Sequence, residues 1–101
     1  MIRHIVFWRF KDEVAADARP ARLREITQKF EALNGVIPGM IRLEIGRDIS
    51  GTPDSADFVL YSEFESRAAL DGYQAHPRHR ELMPMVGDVK SEKRVVDYET
   101  A

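Results

Sequence analysis

The first strand-like segment, Ile2 to Phe10, has apolar residues on both of its faces. One set of alternating positions is apolar except for His4, and the other set places Ile5 and Phe7 between two arginines. A strand with one face in water normally alternates cleanly between apolar and polar residues. This segment is instead typical of a central strand that is covered on both sides.

The next segment has the spacing of an amphipathic helix. Pro20 can occupy the first turn of that helix, and the Asn34-Gly35 pair supplies a stop signal. Between them, apolar residues recur at intervals of three and four, as one stripe on a helix requires. The stripe consists of Leu23, Ile26, Phe30 and Leu33.

A second helical region follows later in the chain and is broken in the middle. Ser66 has the residue type of an N-cap for a helix over Arg67 to Ala75. Pro77 interrupts this helix, because the residue before a proline avoids helical geometry. We expect a second short helical piece from Arg78 to about Val86.

Three further strands complete the pattern. The segment Met40 to Gly46 has polar residues on one face and is expected near a sheet edge. Arg47 to Ala56 has the composition of a loop, and Asp57 to Phe64 and Glu92 to Tyr98 are the remaining strands. The apolar face of the second strand is predicted to consist of Ile41, Leu43 and Ile45.

The resulting order, β-α-β-β-α-β, favours an α+β ferredoxin-like fold. In this fold a four-stranded antiparallel sheet carries both helices on one face. The other face would then expose a patch of apolar side chains, which a monomer rarely tolerates. We expect a second copy of the chain to cover it, giving a homodimer through the sheet face. The patch consists of Ile5, Phe7, Val59 and Tyr61.

Size and composition narrow the class of protein. A chain of 101 residues buries about 65% of its unfolded surface, so we expect one domain over residues 1–101. Its 15 basic and 17 acidic residues give no reason to expect a nucleic-acid partner. No segment predicts a membrane span or a signal peptide. The lack of cysteine suits a cytoplasmic protein, and we expect neither a metal site nor a cofactor.

The candidate chemistry lies in the three histidines and one tyrosine. His4 is on the first strand, while Tyr73, His76 and His79 surround the helix break at Pro77. Histidine is the natural acid or base near neutral pH, and a tyrosine hydroxyl can bind an oxyanion. Each histidine also has a structural interpretation: a cap at a helix end for the two near Pro77, and a satisfied core residue for His4.

Several segments together resemble the stress-responsive A/B barrel domain family of the dimeric α/β barrel superfamily. The most specific of them is the Tyr-x-x-His-Pro-x-His segment that ends at His79. The resemblance covers nearly the whole chain and implies a ferredoxin-like fold whose two copies pair their sheets into a barrel. The other segments are His4-Ile5-Val6, Ile37-Pro38-Gly39, Phe64-Glu65-Ser66 and Val96-Asp97-Tyr98.

One plant member of the family, olivetolic acid cyclase, closes a polyketide by aldol condensation. By that similarity, His79 matches the general base, Tyr73 its active-site partner and His4 a pocket histidine. This chain has Phe58 and Phe30 where the cyclase has a histidine and a tyrosine, so the resemblance implies a more apolar pocket. The predicted pocket residues are His4, His76, Phe30, Phe58 and Trp8.

These observations leave three functions open. The first is an enzyme that moves a proton next to a carbonyl group, as a cyclase or isomerase does, with His79 as the base and Tyr73 orienting it or stabilising an enolate. The second is a non-catalytic dimer that binds a small hydrophobic or carbonyl-containing ligand, or serves in a stress response. The third is a haem-handling monooxygenase, since the superfamily includes such enzymes and histidine can ligate haem.

Overall fold

The computed structural model describes residues 1–100, which form a four-stranded antiparallel sheet with the helices packed on one face. The strands occur in the order β2-β3-β1-β4, so the predicted ferredoxin-like fold is confirmed. They span β1 (Ile2–Phe10), β2 (Met40–Arg47), β3 (Phe58–Phe64) and β4 (Lys90–Glu99). The helices are α1 (Arg19–Glu31), α2 (Arg67–Ala75), α3 (Pro77–Arg80) and α4 (Met83–Gly87), and a short 3₁₀ helix covers Ala16–Ala18.

The central position predicted for β1 is confirmed, because β3 and β4 pair with it on either side. Its register places His4 opposite Ser62 on β3 and Asp97 on β4. The inward residues of β1 and β3 meet α1 and α2 in a single core. The predicted helix stripe is entirely buried in that core, although Leu33 lies just beyond the end of α1.

The edge strand β2 differs from the prediction at Ile41. Met40 lies opposite Phe64 while Arg42 lies opposite the next residue, Glu63. Ile41 is therefore the extra residue of a β-bulge, which reverses the alternation of faces at that point. The prediction that Ile41 shares the apolar face was wrong, since its side chain is 46% exposed.

Side chains from the end of α1 bind the outer backbone edge of β2. The Asn34 amide donates to the carbonyl of Leu43 at 2.9 Å and accepts from its N–H at 2.9 Å. The Glu31 carboxylate accepts from the N–H of Ile45 at 3.1 Å. Three outward backbone groups of β2 are thus satisfied without a further strand.

The helix α2 packs closely against the backbone just before β2, where Gly39 contacts Ala69. Gly39 has a φ of +77°, and a Cβ built on it would lie 2.6 Å from the Cβ of Ala69. The Gly39 carbonyl accepts from the N–H of Glu65 at 2.9 Å. Ser66 is the predicted N-cap, with its hydroxyl accepting from the N–H of Ala69 at 3.1 Å.

The break at Pro77 is present and is sharper than predicted. His76 has an extended ψ of 135°, which ends α2 and lets α3 leave in a new direction. The helical piece predicted from Arg78 to Val86 is two short helices, α3 and α4. None of the helices in residues 1–100 has the length and apolar character that a bilayer crossing needs.

Candidate active site

A cavity of about 220 Å³ lies between the sheet and the helices α2 to α4. Three of the four candidate residues, His4, Tyr73 and His79, line it together with Trp8. A larger surface cleft of about 380 Å³, between the start of α1 and residues 47–51, is lined by no histidine or tyrosine. The smaller cavity is therefore the candidate active site.

Tyr73 and His79 are in direct contact although they belong to different helices. Tyr73 is buried at the end of α2, and the centroids of its ring and that of His79 are 4.3 Å apart. The turn at Pro77 is responsible, because α3 leaves α2 at an angle and returns His79 toward the Tyr73 ring. The helix break thus brings these two side chains together at the cavity.

A backbone carbonyl determines the tautomer of the His79 imidazole ring. Nδ1 of His79 lies 3.3 Å from the carbonyl oxygen of Gln74, and a carbonyl only accepts, so Nδ1 carries the proton. In the neutral ring Nε2 is then the free acceptor. Burial lowers the pKa of His79, and the charges of His4, Lys93 and Arg80 lower it further, against the raising effect of the Gln74 carbonyl. Because the pKa of His79 lies below its ordinary value of 6.5, the imidazole ring is neutral at pH 7.

Two buried donors at the cavity have no hydrogen-bond partner among residues 1–100. They are the hydroxyl of Tyr73 and the indole N–H of Trp8, whose residues are 1% and 4% exposed. Burial raises the pKa of Tyr73 well above its ordinary value, so the hydroxyl keeps its proton and acts as a donor. Unpaired buried donors cost free energy, and functional sites are a common reason for keeping them.

His4 is held in place by a carboxylate from the neighbouring strand. Its Nδ1 lies 2.5 Å from Oδ1 of Asp97, and because a carboxylate accepts, Nδ1 of His4 donates. The His4 ring meets the Tyr73 ring edge-on, with 6.2 Å between centroids. His4 is therefore both a satisfied buried residue and a wall of the cavity.

Comparison with known proteins shows the family of the chain. The sequence model described as "Stress responsive A/B Barrel Domain" matches residues 2–100. The chain belongs to this family. An Arabidopsis thaliana relative, stress-response A/B barrel domain-containing protein HS1, is 27% identical over 99 residues, which are 96% of this chain and 87% of that protein.

This A/B barrel domain has the same fold as several solved structures. A dimeric protein of unknown function from Bacteroides fragilis is 25% identical, with a TM-score of 0.89 over 98% of this chain and 95% of its own. A hydroxynitrile lyase from Passiflora edulis has a TM-score of 0.77 and 22% identity, covering 96% of this chain and 90% of its own. At that identity the likeness to the lyase concerns the fold alone.

Three of the residues predicted for the pocket of this A/B barrel domain lie outside the cavity lining. Phe58 stacks on Trp8 with 5.1 Å between centroids, and Phe30 lies 6.3 Å from it on another side. Both phenylalanines are core residues that support Trp8. His76 accepts from the N–H of Arg78 at 3.1 Å through Nδ1, so it caps the start of α3, and a structural role accounts for it.

Sequence reasoning did not single out Asp97 or Lys93 in this A/B barrel domain. Both lie on the inner face of β4, opposite His4 and Trp8 in the register. Alternation from Val95 would have placed both residues on the inner face of β4, but only the register with β1 puts them beside His4 and Trp8. Within residues 1–100, no group of three His, Asp or Glu side chains is arranged to hold a metal ion.

Proposed function

We propose that this A/B barrel domain is a homodimeric enzyme that moves a proton on a carbon next to a carbonyl group. The observation that carries the proposal is the contact between His79 and Tyr73 at the cavity, with a free acceptor on one and an unpartnered hydroxyl on the other. General bases work best when their pKa lies near the working pH, and neutral histidine meets that need. A cytoplasmic location, which the lack of cysteine favours, is part of the proposal.

The proposed step uses each group once. Nε2 of His79 takes the proton from the substrate carbon, and the electron pair of that C–H bond moves into the enolate. The enolate oxygen accepts a hydrogen bond from the Tyr73 hydroxyl, which stabilises charge that develops in the transition state. If the proton on Nε2 exchanges with solvent and returns to the same carbon, the result is exchange, and delivery to another carbon of the enolate system gives an isomerisation. In a cyclisation the enolate carbon bonds to an internal carbonyl carbon, and His79 gives its proton to the alkoxide oxygen that forms.

The test is deuterium exchange, followed by proton NMR, into the carbon next to the carbonyl for a panel of small ketones and β-keto esters. His79→Ala is expected to reduce the exchange rate by at least a hundredfold, since positioned acid–base groups contribute about 10²–10⁴-fold. His76→Asn is the matched control, because asparagine can also cap a helix. Equal exchange with the wild-type protein and His79→Ala would contradict the proposal.

The same panel separates catalysis from simple binding. A ketone that binds to the cavity but does not exchange its protons would support the second candidate, a non-catalytic ligand-binding dimer. Tyr73→Phe sharpens the distinction, because it removes one hydroxyl and keeps the ring contact with His79. An enzyme should lose exchange rate in this variant with little change in stability.

The dimer is proposed to form through the outer face of the sheet. Phe7, Val96 and Tyr98 are 37%, 50% and 40% exposed there, and Ile5 pairs with Val96 and with Tyr61 on its two sides. The chain exposes 6222 Å², above the roughly 5,800 Å² that scaling gives for a folded monomer of this mass. Dimeric relatives with the same fold support a second copy as the cover.

A further inference from the structure

We propose that the cavity selects a small keto acid, with Lys93 and Lys90 holding the carboxylate while Trp8 and Tyr73 donate to the ketone oxygen. This inference rests on the cavity being the proposed active site, and it names the substrate class. The residues that carry it are two lysines that line the cavity and two lining residues, Trp8 and Tyr73, that each have a buried donor without a partner among residues 1–100.

The lining of the cavity, as residues 1–100 form it, includes lysines and no carboxylates. Lys90 and Lys93 both line it from β4, and neither has an ion-pair partner in the part of the chain that the structure describes. Among the described residues, no aspartate or glutamate lines it, and Asp97 is engaged by His4. The charge of Lys93 is also close enough to lower the pKa of His79. An anionic group on the ligand would be the missing partner of these lysines.

Two aromatic residues of the lining favour a different ligand atom. The Trp8 indole and the Tyr73 hydroxyl are donors without acceptors, and neither can ionise at neutral pH in this setting. A ketone oxygen has two lone pairs and can accept from both. A ligand that fills these requirements carries a carboxylate at the lysine end and a carbonyl near the aromatic side chains.

The volume limits the size of the ligand. About 220 Å³ corresponds to about seven water molecules at ~30 Å³ each. This is below the range of roughly 300–1,000 Å³ usual for drug-sized ligands. A short keto acid fits this space, and the ends of such a molecule carry the two groups that the cavity would bind.

Trp8 is the only tryptophan, so its fluorescence reports on the cavity directly. We would titrate the full chain with acetoacetate, with its neutral methyl ester, and with butyrate, which has the carboxylate but no ketone. Acetoacetate is expected to give a saturable change and to bind at least tenfold more tightly than either of the others. Isothermal titration calorimetry repeats the measurement without the fluorophore.

Two variants assign the contacts. Lys93→Met should weaken acetoacetate binding about tenfold and leave the ester unchanged, whereas Lys29→Met, on the exposed side of α1, should change neither. Tyr73→Phe should weaken acetoacetate and leave butyrate unchanged. Failure of acetoacetate to bind, or equal binding of acid and ester in both wild type and Lys93→Met, would overturn the inference. Deuterium exchange on neutral ketones would survive that result, so the proposed function is tested separately.

Discussion

The contact between Gly39 and Ala69 allows a quantitative test of how α2 is seated on the sheet. Gly39 and Gly35 both have positive φ, +77° and +81°, but only Gly39 has a neighbour where a Cβ would be. Replacing either glycine by alanine imposes the left-handed backbone cost of about 1–2 kcal/mol. Both changes also restrict the unfolded chain equally. The pair therefore differs only in the steric term.

That steric term can be worked out from the distance. An alanine Cβ at position 39 would lie 2.6 Å from the Ala69 Cβ, and ordinary carbon contacts are about 3.5–4.0 Å. The helix or the turn must move by roughly 1 Å, and overpacking of this kind costs about 1–3 kcal/mol. We expect Gly35→Ala to lose about 1–2 kcal/mol and Gly39→Ala about 2–5 kcal/mol of unfolding free energy.

The assay is urea unfolding followed by circular dichroism, with the slope of the transition checked for constancy. Ala69→Gly removes the clashing atom at a cost of about 1 kcal/mol in a helix. The double variant should therefore be more stable than the sum of the single changes predicts, by about 1–3 kcal/mol. If Gly39→Ala is no less stable than Gly35→Ala, or if the double variant shows no coupling, the reasoning about this contact fails.

Three more predictions concern the interface, the base and the buried histidine. In light scattering, the wild-type protein should have about twice the chain mass of 11.6 kDa, and Phe7→Asp should have the mass of a monomer. Ile49→Asp is the control, because Ile49 is 93% exposed on a loop and its replacement should leave the dimer intact. A dimer that survives Phe7→Asp would contradict the sheet-face proposal. With a neutral ketone, the rate of exchange should rise with pH through an acid limb below 6.5, because the pKa of His79 is lowered and only the neutral ring accepts a proton. Removing the charge of Lys93 in Lys93→Met should move that limb to higher pH, and a limb that stays in place would argue against His79 as the base. Asp97→Ala should cost about 1–3 kcal/mol in urea unfolding, because it leaves a buried imidazole N–H without its acceptor; an unchanged midpoint would show that water replaces the carboxylate.

Much of the fold followed from local patterns in the sequence. The two-sided apolar character of β1 predicted its central place, and Ser66 and Pro77 marked where α2 begins and ends. Ile41 was misplaced because a bulge depends on pairing with β3 and not on the residues of β2 itself. Alternation alone cannot reveal such a shift of register.

The candidate site was only partly predictable for a similar reason. His4, Tyr73 and His79 were found from residue type and from the family resemblance, but their contact depends on the angle at which α3 leaves α2. Asp97 and Lys93 become visible only when β4 is aligned with β1. His76 and His79 have the same residue type in one short segment, yet one caps a helix and the other lines the cavity.

The side-chain bonds along the outer edge of β2 bear on how many copies can assemble. Asn34 and Glu31 occupy backbone groups that another strand would need for pairing, so this edge does not accept a neighbouring sheet. On the opposite edge strand, β4, the Arg94 guanidinium donates to the carbonyl of Lys93 at 3.3 Å, and no side chain from another described element binds the backbone of this strand. A molecule with one closed and one open edge cannot add copies in both directions, which prevents strand-by-strand growth into a fibre. The bonds of Asn34 and Glu31 to β2 thus oppose edge-to-edge growth of the sheet on this side.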